Sequence, residues 1–485
     1  MVNYAAFPLP SIPVPIRILR LALLAIPALL AACAGMTPPA NTASAAAPLS
    51  TYVVLGEEGA AVARAITAAP SCPAIAIDGK TQAMAPRAQP ATIAQRGTNS
   101  APPDTKPAAF PVLTCEAVLP QGTSSASIAG QPLPLPKAAP QRIVVIGDTG
   151  CRLLKSQNAY QNCNFAAEYP FARTAEQAAA WKPDLVIHVG DYHYRETACA
   201  PGHPGCVGSP WGYGWDAWQA DFFAPGATLL KAAPWVMVRG NHESCARGGQ
   251  GWWRFLDPRA LQAGRDCNAD ADDASGNYSD PYAVPLGQDT QLLVLDTAAT
   301  SWRGFKPGDV AWDKYRDNYR RLDALSRRAP HNIAVMHHPL LGLGADTRAD
   351  GSLTILKGDL GLQQSFGSLN PALFPAAVQT VLSGHVHLWE QMSFSSGHPS
   401  QFIAGFAGTA EDIVPIPLPV PDGVTPAPGA VVEHASAWID GFGFMTMERQ
   451  GPEQWLVGVH DLQGRLRNTC RIDGRRSVCE QVRVR

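Results

Sequence analysis

Charge is sparse in this sequence and almost balanced. Only 16% of residues are charged, and 38 basic side chains against 40 acidic ones leave a formal net charge of -2. Such a balance gives no overall attraction for nucleic acid or for an anionic membrane surface, so no nucleic-acid partner is expected and partners must be sought at local sites. Membrane-length apolar runs are missing as well. The run LALLAIPALLAA, from Leu21 to Ala32, falls short of the roughly 20 residues of a spanning helix. Internal repeats are absent, which sets aside solenoid architectures. No cysteine spacing makes a convincing zinc knuckle.

The N-terminus does contain Arg17 and Arg20, then the apolar run, then Cys33. Basic residues ahead of a short apolar stretch form a secretory signal. Leu30, Ala31, Ala32 and Cys33 resemble the bacterial lipobox, in which the cysteine is lipidated and becomes the first mature residue. On this reading residues 1–32 are a signal peptide and Cys33 carries a lipid anchor, the only contact with a membrane. The alternative is an ordinary signal peptide with an incidental cysteine. Ala34, in place of an aspartate, allows outer-membrane anchoring by the same resemblance, so the expected location is the periplasm or cell envelope. Residues 33–50, mostly Ala, Pro, Thr and Ser, suit a flexible tether.

Setting Cys33 aside leaves 10 of the 11 cysteines, at 72, 115, 151, 163, 199, 206, 245, 267, 470 and 479. An even set in an exported protein reads as disulfides. Sequence does not fix the connectivity. Nearest-neighbour pairing gives 72 with 115, 151 with 163, 199 with 206, 245 with 267, and 470 with 479.

With 485 residues, 46% of them hydrophobic, the chain has enough material for one large α/β domain and a smaller one. Residues 51–140 hold short alternating runs such as YVVLGEE, PAIAIDG and FPVLTCEAVLP, separated by Pro, Ala and Gly, and read as a small β-rich domain. From 141 to 485 the pattern changes. RIVVIGD, the Ala-rich ARTAEQAAAW, DLVIHVGD, APWVMVRGNHE, QLLVLDT, the helical VAWDKYRDNYRRLDALSRR, NIAVMHHP and AVQTVLSGHVH follow in order. Strands alternating with helices and carrying polar residues at their C-terminal ends place a site at the carboxyl edge of an α/β sheet. GFGFMTMER and QWLVGVHDLQG predict a hairpin near the C-terminus.

Five of those strand ends carry chemistry: GDTG (147–150), GDYHY (190–194), GNHE (240–243), His337-His338-Pro339 and GHVH (384–387). Any one string is weak, but all five in order over 143–387 resemble the metallophosphoesterase (calcineurin-like) superfamily, and GDTG with GDYHY is similar to the purple acid phosphatases in particular. The resemblance implies an α/β fold, a four-layer αββα sandwich of two mixed sheets with helices on both outer faces. It implies a dinuclear metal centre, with Asp191 as the bridge, Asp148 and His387 on the first metal, and Asn241, His337 and His385 on the second. His242 would serve as general acid. Two cations about 3.5–4 Å apart neutralise phosphate oxygens and activate water, which is why carboxylates, an amide and imidazoles recur together.

Many enzymes of this superfamily carry a histidine ligand two residues after the first aspartate; here that position is Gly150. In the purple acid phosphatase pattern the tyrosine ending the second motif, Tyr194, fills the place. A phenolate is a hard oxygen donor, so the resemblance implies Fe(III) at the first site and divalent Fe, Zn or Mn at the second. The other reading is that Tyr194 only packs, leaving an ordinary manganese or zinc site one ligand short.

Several residues keep two readings. His338 either contacts phosphate as a catalytic residue or shapes the turn before Pro339, and the adjacent histidines leave the ligand register open between 337 and 338. Glu243 suits a supporting role for His242 or a ligand. His193 can face either way, and Asp296 ends QLLVLD with a structural role at least as natural. The tryptophans of PWGYGWDAWQADFF form either an aromatic wall for a substrate or a packed core, the commoner outcome. The implied activity is hydrolysis of small-molecule phosphate monoesters by a metal-bound hydroxide. A phosphodiesterase acting on nucleotide or phospholipid-type esters, and a catalytically idle surface binding protein on the same scaffold, are the alternatives.

Overall fold

The computed structural model describes residues 47–484 apart from 288, 349, 412–415 and 440. The expected signal peptide, Cys33 and most of the expected tether lie outside the described residues.

β-Branched runs bounded by glycine and proline supply the strands. Four of them run parallel at the centre of an 11-stranded sheet: Arg142–Ile146, Leu185–His188, Trp235–Met237 and Ser50–Leu55. Antiparallel strands extend it on both sides. Gly443–Arg449, Gln454–Asp461, Leu466–Asp473 and Arg476–Cys479 lie beyond Arg142–Ile146, the first two being the expected hairpin. Ala61–Thr67, Leu113–Leu119 and Ala85–Ala88 lie beyond Ser50–Leu55. The β-rich region before residue 141 is thus present, and four of its strands lengthen the first sheet, while Ala74–Ile77, Lys80–Ala83, Ala126–Ile128 and Gln131–Pro132 form a small sheet of their own.

The second sheet has seven strands, in the order Tyr282–Gly287, Thr290–Val294, His331–Val335, Val378–Ser383, Ser400–Ala404, Trp389–Phe394 and Val432–Trp438. The two-residue side-chain period of a strand divides each sheet's residues between two cores. Val53, Ile143, Val145, Ile187 and Val236 face Val284, Leu292, Ile333, Val335 and Leu382 of the second sheet. Their alternates, Val54, Val144, Ile146 and Val186, lie in a second cluster with helix Phe171–Ala180 and the tryptophan-rich segment. On the far side Leu293, Ala334 and Val381 pack with helices Val310–Ser326 and Leu360–Gly367. The result is the αββα order.

Helix Phe171–Ala180 forms where alanine and other strong helix formers concentrate, and it buries Phe171, Thr174, Ala175 and Ala178 at helical spacing. Val310–Ser326 does the same with Tyr315, Asn318, Tyr319, Leu322 and Leu325. Trp215, Trp218, Trp235, Trp252 and Trp253 all lie in the buried cluster over the first sheet, so these five pack rather than line a wall, whereas Trp211 is half-buried beneath Lys106. All five disulfides pair as nearest neighbours: Cys72–Cys115, Cys151–Cys163, Cys199–Cys206, Cys245–Cys267 and Cys470–Cys479.

Arg64 ties the N-terminal strands to the region beyond the third motif. It is fully buried and donates to the carbonyls of Phe255 and Asp257, each at 2.7 Å. Replacing it with Met keeps the stem but removes a buried charged donor from each carbonyl, leaving Phe255 O to the Tyr52 hydroxyl at 2.8 Å and Asp257 O to Arg87 Nη2 at 3.1 Å. Stability should fall by about 2–4 kcal/mol in a single urea transition. Two separated transitions would show that the N-terminal region unfolds independently.

Candidate metal centre

Asp148 follows strand Arg142–Ile146 with a left-handed backbone, φ 55°. On the adjacent strand Asp191 repeats the arrangement at φ 60°, and on the second sheet His385, after Val378–Ser383, sits at φ 71°. Each such residue costs about 1–3 kcal/mol and persists only where its surroundings fix it. Here the fixing is done by backbone contacts: Asp148 N–H donates to Gly190 O and Thr149 N–H to Asp191 O, both at 3.0 Å, and His385 N–H donates to Asp148 Oδ2 at 3.0 Å. Gly190, at φ 106°, must be glycine, because a Cβ there would run into the His337 imidazole.

Two groups of donors result. In the first, the Tyr194 phenol oxygen lies 2.9 Å from Asp148 Oδ1, 2.9 Å from Asp191 Oδ2 and 2.9 Å from His387 Nε2. In the second, Asn241 Oδ1 lies 3.0 Å from His337 Nε2 and 3.0 Å from His385 Nδ1. Asp191 Oδ2 joins them, 3.0 Å from His337 Nε2. All seven residues expected as ligands therefore converge, with one carboxylate oxygen common to both groups. Asp148, Asp191, Tyr194, His337 and His387 are buried, Asn241 is half-buried and His385 exposed, so the mouth opens at the second group.

The donor chemistry fits cations. His387 Nδ1 is spent on Ala410 O at 2.9 Å, which leaves Nε2 with its lone pair toward Tyr194. One phenolic proton then faces three acceptors and can serve only one. His337 is oriented in the same way, its Nδ1 donating to Val189 O at 2.8 Å. Burial, then the Asp148 and Asp191 carboxylates, raise the Tyr194 pKa well above the usual phenol value. For His337 burial works downward, but Asp191 overrides it and carries the imidazole up to about 9. Burial would raise Asp191, yet His337 and His242 hold it well below the usual carboxylate range.

The phenol position answers the question posed by Gly150. A Cβ at residue 150 would come within 2.8 Å of Tyr192 O, 2.8 Å of Tyr194 N and 2.9 Å of Asp221 Oδ2. The loop that delivers Tyr194 occupies the space that a histidine at 150 would need. Asp221, which the sequence reading missed, fastens that loop: its carboxylate accepts from the N–H groups of Cys151 (3.0 Å), Tyr194 (2.7 Å) and Arg195 (3.0 Å) and from Arg195 Nε (2.6 Å). A lone carboxylate inside QADFF, between apolar neighbours, was the available signal.

Glu243 supports the Asp191 loop rather than joining either donor group. It accepts from the N–H groups of Asp191 (3.1 Å), Tyr192 (2.8 Å), His193 (3.2 Å) and Gly240 (3.1 Å). Burial, and then the nearby Asp191 carboxylate, push it up to about 8. His242 packs against Tyr194 with the rings tilted by 34° and their centroids 3.7 Å apart, and its Nε2 lies 3.9 Å from Asp191 Oδ2. Its Nδ1 meets Glu196 Oε1 at 3.1 Å and His193 O at 3.0 Å. Glu196 and Arg247, a buried pair that sequence reasoning also passed over, flank the ring: Arg247 Nε donates to Glu196 Oε2 at 2.9 Å and Arg247 Nη2 lies 2.7 Å from His242 Nε2.

The remaining ambiguities resolve. His337, not His338, contacts Asp191 and Asn241. His338 flanks the second group, its ring 4.3 Å from that of His385 and its Nδ1 3.0 Å from Thr297 Oγ1. His193 turns away, with Nε2 on Gly212 O at 2.9 Å, and Asp296 pairs with Arg239 at 3.4 Å.

Residues 141–388 match the calcineurin-like phosphoesterase family. The chain belongs to that family. A purple acid phosphatase from seeds of yellow lupin, Lupinus luteus, shares its fold, at 15% identity and a TM-score of 0.50, over 86% of this chain and 72% of that one. PhoD aligns at 11% identity over 92% and 94% of the two chains, with a TM-score of 0.47. GAP50, the anchor in the inner membrane complex of Plasmodium, aligns at 12% identity over 70% and 90%, with a TM-score of 0.43. No curated protein matches. Membership makes this a phosphoesterase family chain, and the converging side chains are the candidates for its metal centre.

A cation entering the first group must displace the Tyr194 proton, and one entering the second must displace a proton from His337. Metal affinity should therefore fall as pH drops through neutrality, and uptake at pH 7 should release protons. Calorimetry in buffers of different ionisation enthalpy measures the number. Tyr194→Phe should lower it by about one, and an unchanged proton count would remove Tyr194 from the site.

Proposed function

We propose that this chain is an exported phosphatase that hydrolyses phosphate monoesters at a dinuclear centre held by Asp148, Asp191, Tyr194, Asn241, His337, His385 and His387. The observation that carries the reading is the single Asp191 oxygen, 2.9 Å from the Tyr194 phenol and 3.0 Å from His337 Nε2, because two cations held side by side need a shared negative charge. When bound, such a pair supplies charge neutralisation at the phosphate oxygens and an acidified water. Hard oxygens from Tyr194, Asp148 and Asp191 favour Fe(III) in the first group, while the amide and imidazoles of the second suit divalent Fe, Zn or Mn.

The chain's own groups do the rest. His242, with Nε2 toward the shared oxygen, is the general acid for the departing alkoxide; Arg247 Nη2 donates to that nitrogen at 2.7 Å in this arrangement, so the ring takes up its proton when Arg247 moves aside. Glu196 and the His193 carbonyl, both at Nδ1, fix the ring's rotation. His338, beside the exposed His385, offers a hydrogen bond to a phosphate oxygen.

A phosphomonoester and phosphodiester panel on metal-loaded protein tests the activity, and preference for bis(p-nitrophenyl) phosphate over p-nitrophenyl phosphate would replace the monoesterase reading with a diesterase. Asp191→Asn should retain fewer than two metals per chain by elemental analysis. It should also lower kcat by about a hundredfold or more, since residues that merely support ligands are worth about 10–100-fold. Two tightly held metals with near-normal turnover would sink the assignment.

Export rests on the N-terminal signal in the sequence and on five paired disulfides, which suit an oxidising compartment. Cys33→Ser should shift the protein from the membrane to the soluble fraction with its activity per molecule intact. Membrane retention of that variant would rule out the lipid anchor.

A further inference from the structure

Arg247 brings a permanent positive charge to within one side chain of the donor groups. Its backbone is fixed from two directions: Arg247 N–H donates to Ser244 O at 2.9 Å, and Asn99 N–H, from the N-terminal β-rich region, donates to Ala246 O at 3.1 Å. Its side chain is fixed by Glu196. That carboxylate accepts from Arg247 Nε at 2.9 Å, from Arg247 Nη2, and from the Tyr213 hydroxyl at 3.0 Å. Burial alone would raise the Glu196 pKa, but Arg247 and then His242 hold it well below the usual carboxylate range. Glu196 itself rides on the loop that delivers Tyr194, which Asp221 fastens through Arg195.

A guanidinium holds its N–H donors in one plane, along fixed edges. Glu196 occupies the edge made by Nε and Nη2, which leaves the edge made by Nη2 and Nη1. On that second edge Nη2 lies 2.7 Å from His242 Nε2, and the same His242 nitrogen lies 3.9 Å from the shared Asp191 oxygen. At most those two steps separate the guanidinium from the bridge. Nothing among the described residues accepts from Nη1, and the side chain keeps 9% of its surface. A brace for His242 needs Nη2 alone. The unspent nitrogen beside it completes a two-donor fork, the arrangement that matches two oxygens of a phosphate.

We propose that Arg247 is a substrate-binding residue whose Nη1 and Nη2 grip the phosphate, that Glu196 holds it ready, and that its charge selects monoesters over diesters. The proposal rests on the phosphoester hydrolysis proposed above for the same site. A monoester offers one more unsubstituted oxygen and about one more negative charge than a diester. Both are features that a fixed guanidinium reads. By accepting from Nη2 the phosphate also draws it off His242 Nε2, so arrival of substrate is what moves Arg247 aside.

Calorimetry of inorganic phosphate on the metal-loaded full chain reads the contact without turnover. Arg247→Met should weaken phosphate by about tenfold to a hundredfold with metal content unchanged, as for a lost charge-assisted hydrogen bond. Because that variant leaves Glu196 buried and unpaired, Glu196→Gln is combined with it, and the pair should show the same loss with the urea midpoint retained. His242→Ala separates contact from support. An Arg247 that touches phosphate loses the same factor in the His242→Ala background, whereas one that only braces His242 loses nothing there. In turnover, the ratio of kcat/KM for p-nitrophenyl phosphate to that for bis(p-nitrophenyl) phosphate should fall by about tenfold in the paired variant. Unchanged phosphate affinity in both variants, or a loss that vanishes without His242, overturns the proposal. A chain that binds phosphate through Arg247 and hydrolyses neither ester keeps this contact and loses only the phosphatase reading.

Discussion

One carboxylate oxygen that must serve two donor groups at once sets the terms for everything around it. Asp191 Oδ2 lies about 3 Å from both a phenol and an imidazole, which fixes its position more tightly than a freely rotating side chain allows. The other carboxylate oxygen is held by His242 N–H at 2.8 Å. The backbone beneath it is clamped by Glu243 through four N–H groups of two separate loops. Burying Glu243 costs free energy that only those donors offset. Its burial makes sense as the means of holding a left-handed Asp191 whose own conformation is unfavourable.

The same constraint explains why Gly150, Tyr194 and Asp221 belong together. Delivering a phenol from the second motif to a position beside Asp148 brings the 192–194 backbone to within van der Waals limits of residue 150. Glycine is then required for space, and the exposed N–H groups of that tight approach need an acceptor. Asp221 supplies it from a helical segment otherwise given over to aromatic packing. A histidine restored at 150 would displace Tyr194, so neither change is available singly. This is steric coupling between two strand ends, legible as a motif difference but explained only by their separation in space.

Legibility in the sequence followed the range of the interaction. The strands ending at Gly147, Gly190 and Gly240, the helix over 171–180 and the residues that converge at the candidate centre were readable because each is encoded within a few letters of an element's end. The disulfides were readable because all five close short chain separations, of 7 to 43 residues. Residues whose role depends on distant partners were not. Asp221 acts on residues 26 to 70 positions away, and Glu196 meets Arg247 at a separation of 51. The continuation of the 50–119 strands into the first sheet depends on a single parallel pairing, Val54 with Trp235, across 181 positions (235 − 54). No local pattern announces such a pairing, because an alternating strand reads alike at the edge of a small domain and at the middle of a large sheet.

That pairing also bears on how the loops of the site are kept in place. Three of the disulfides begin close after a ligand motif: Cys151 after GDTG, Cys199 after GDYHY and Cys245 after GNHE. In the chain-entropy account each limits the conformations open to its loop in the unfolded chain, by about 3 kcal/mol for a loop near 15 residues. A crosslink within one loop cannot, however, set the distance between loops. That is done by the sheet, which aligns the strand ends at the carboxyl edge, and by Asp221 and Glu243, which bond across from one loop to the next. The disulfides therefore limit how far each loop can stray, and the buried carboxylates decide where the loops meet.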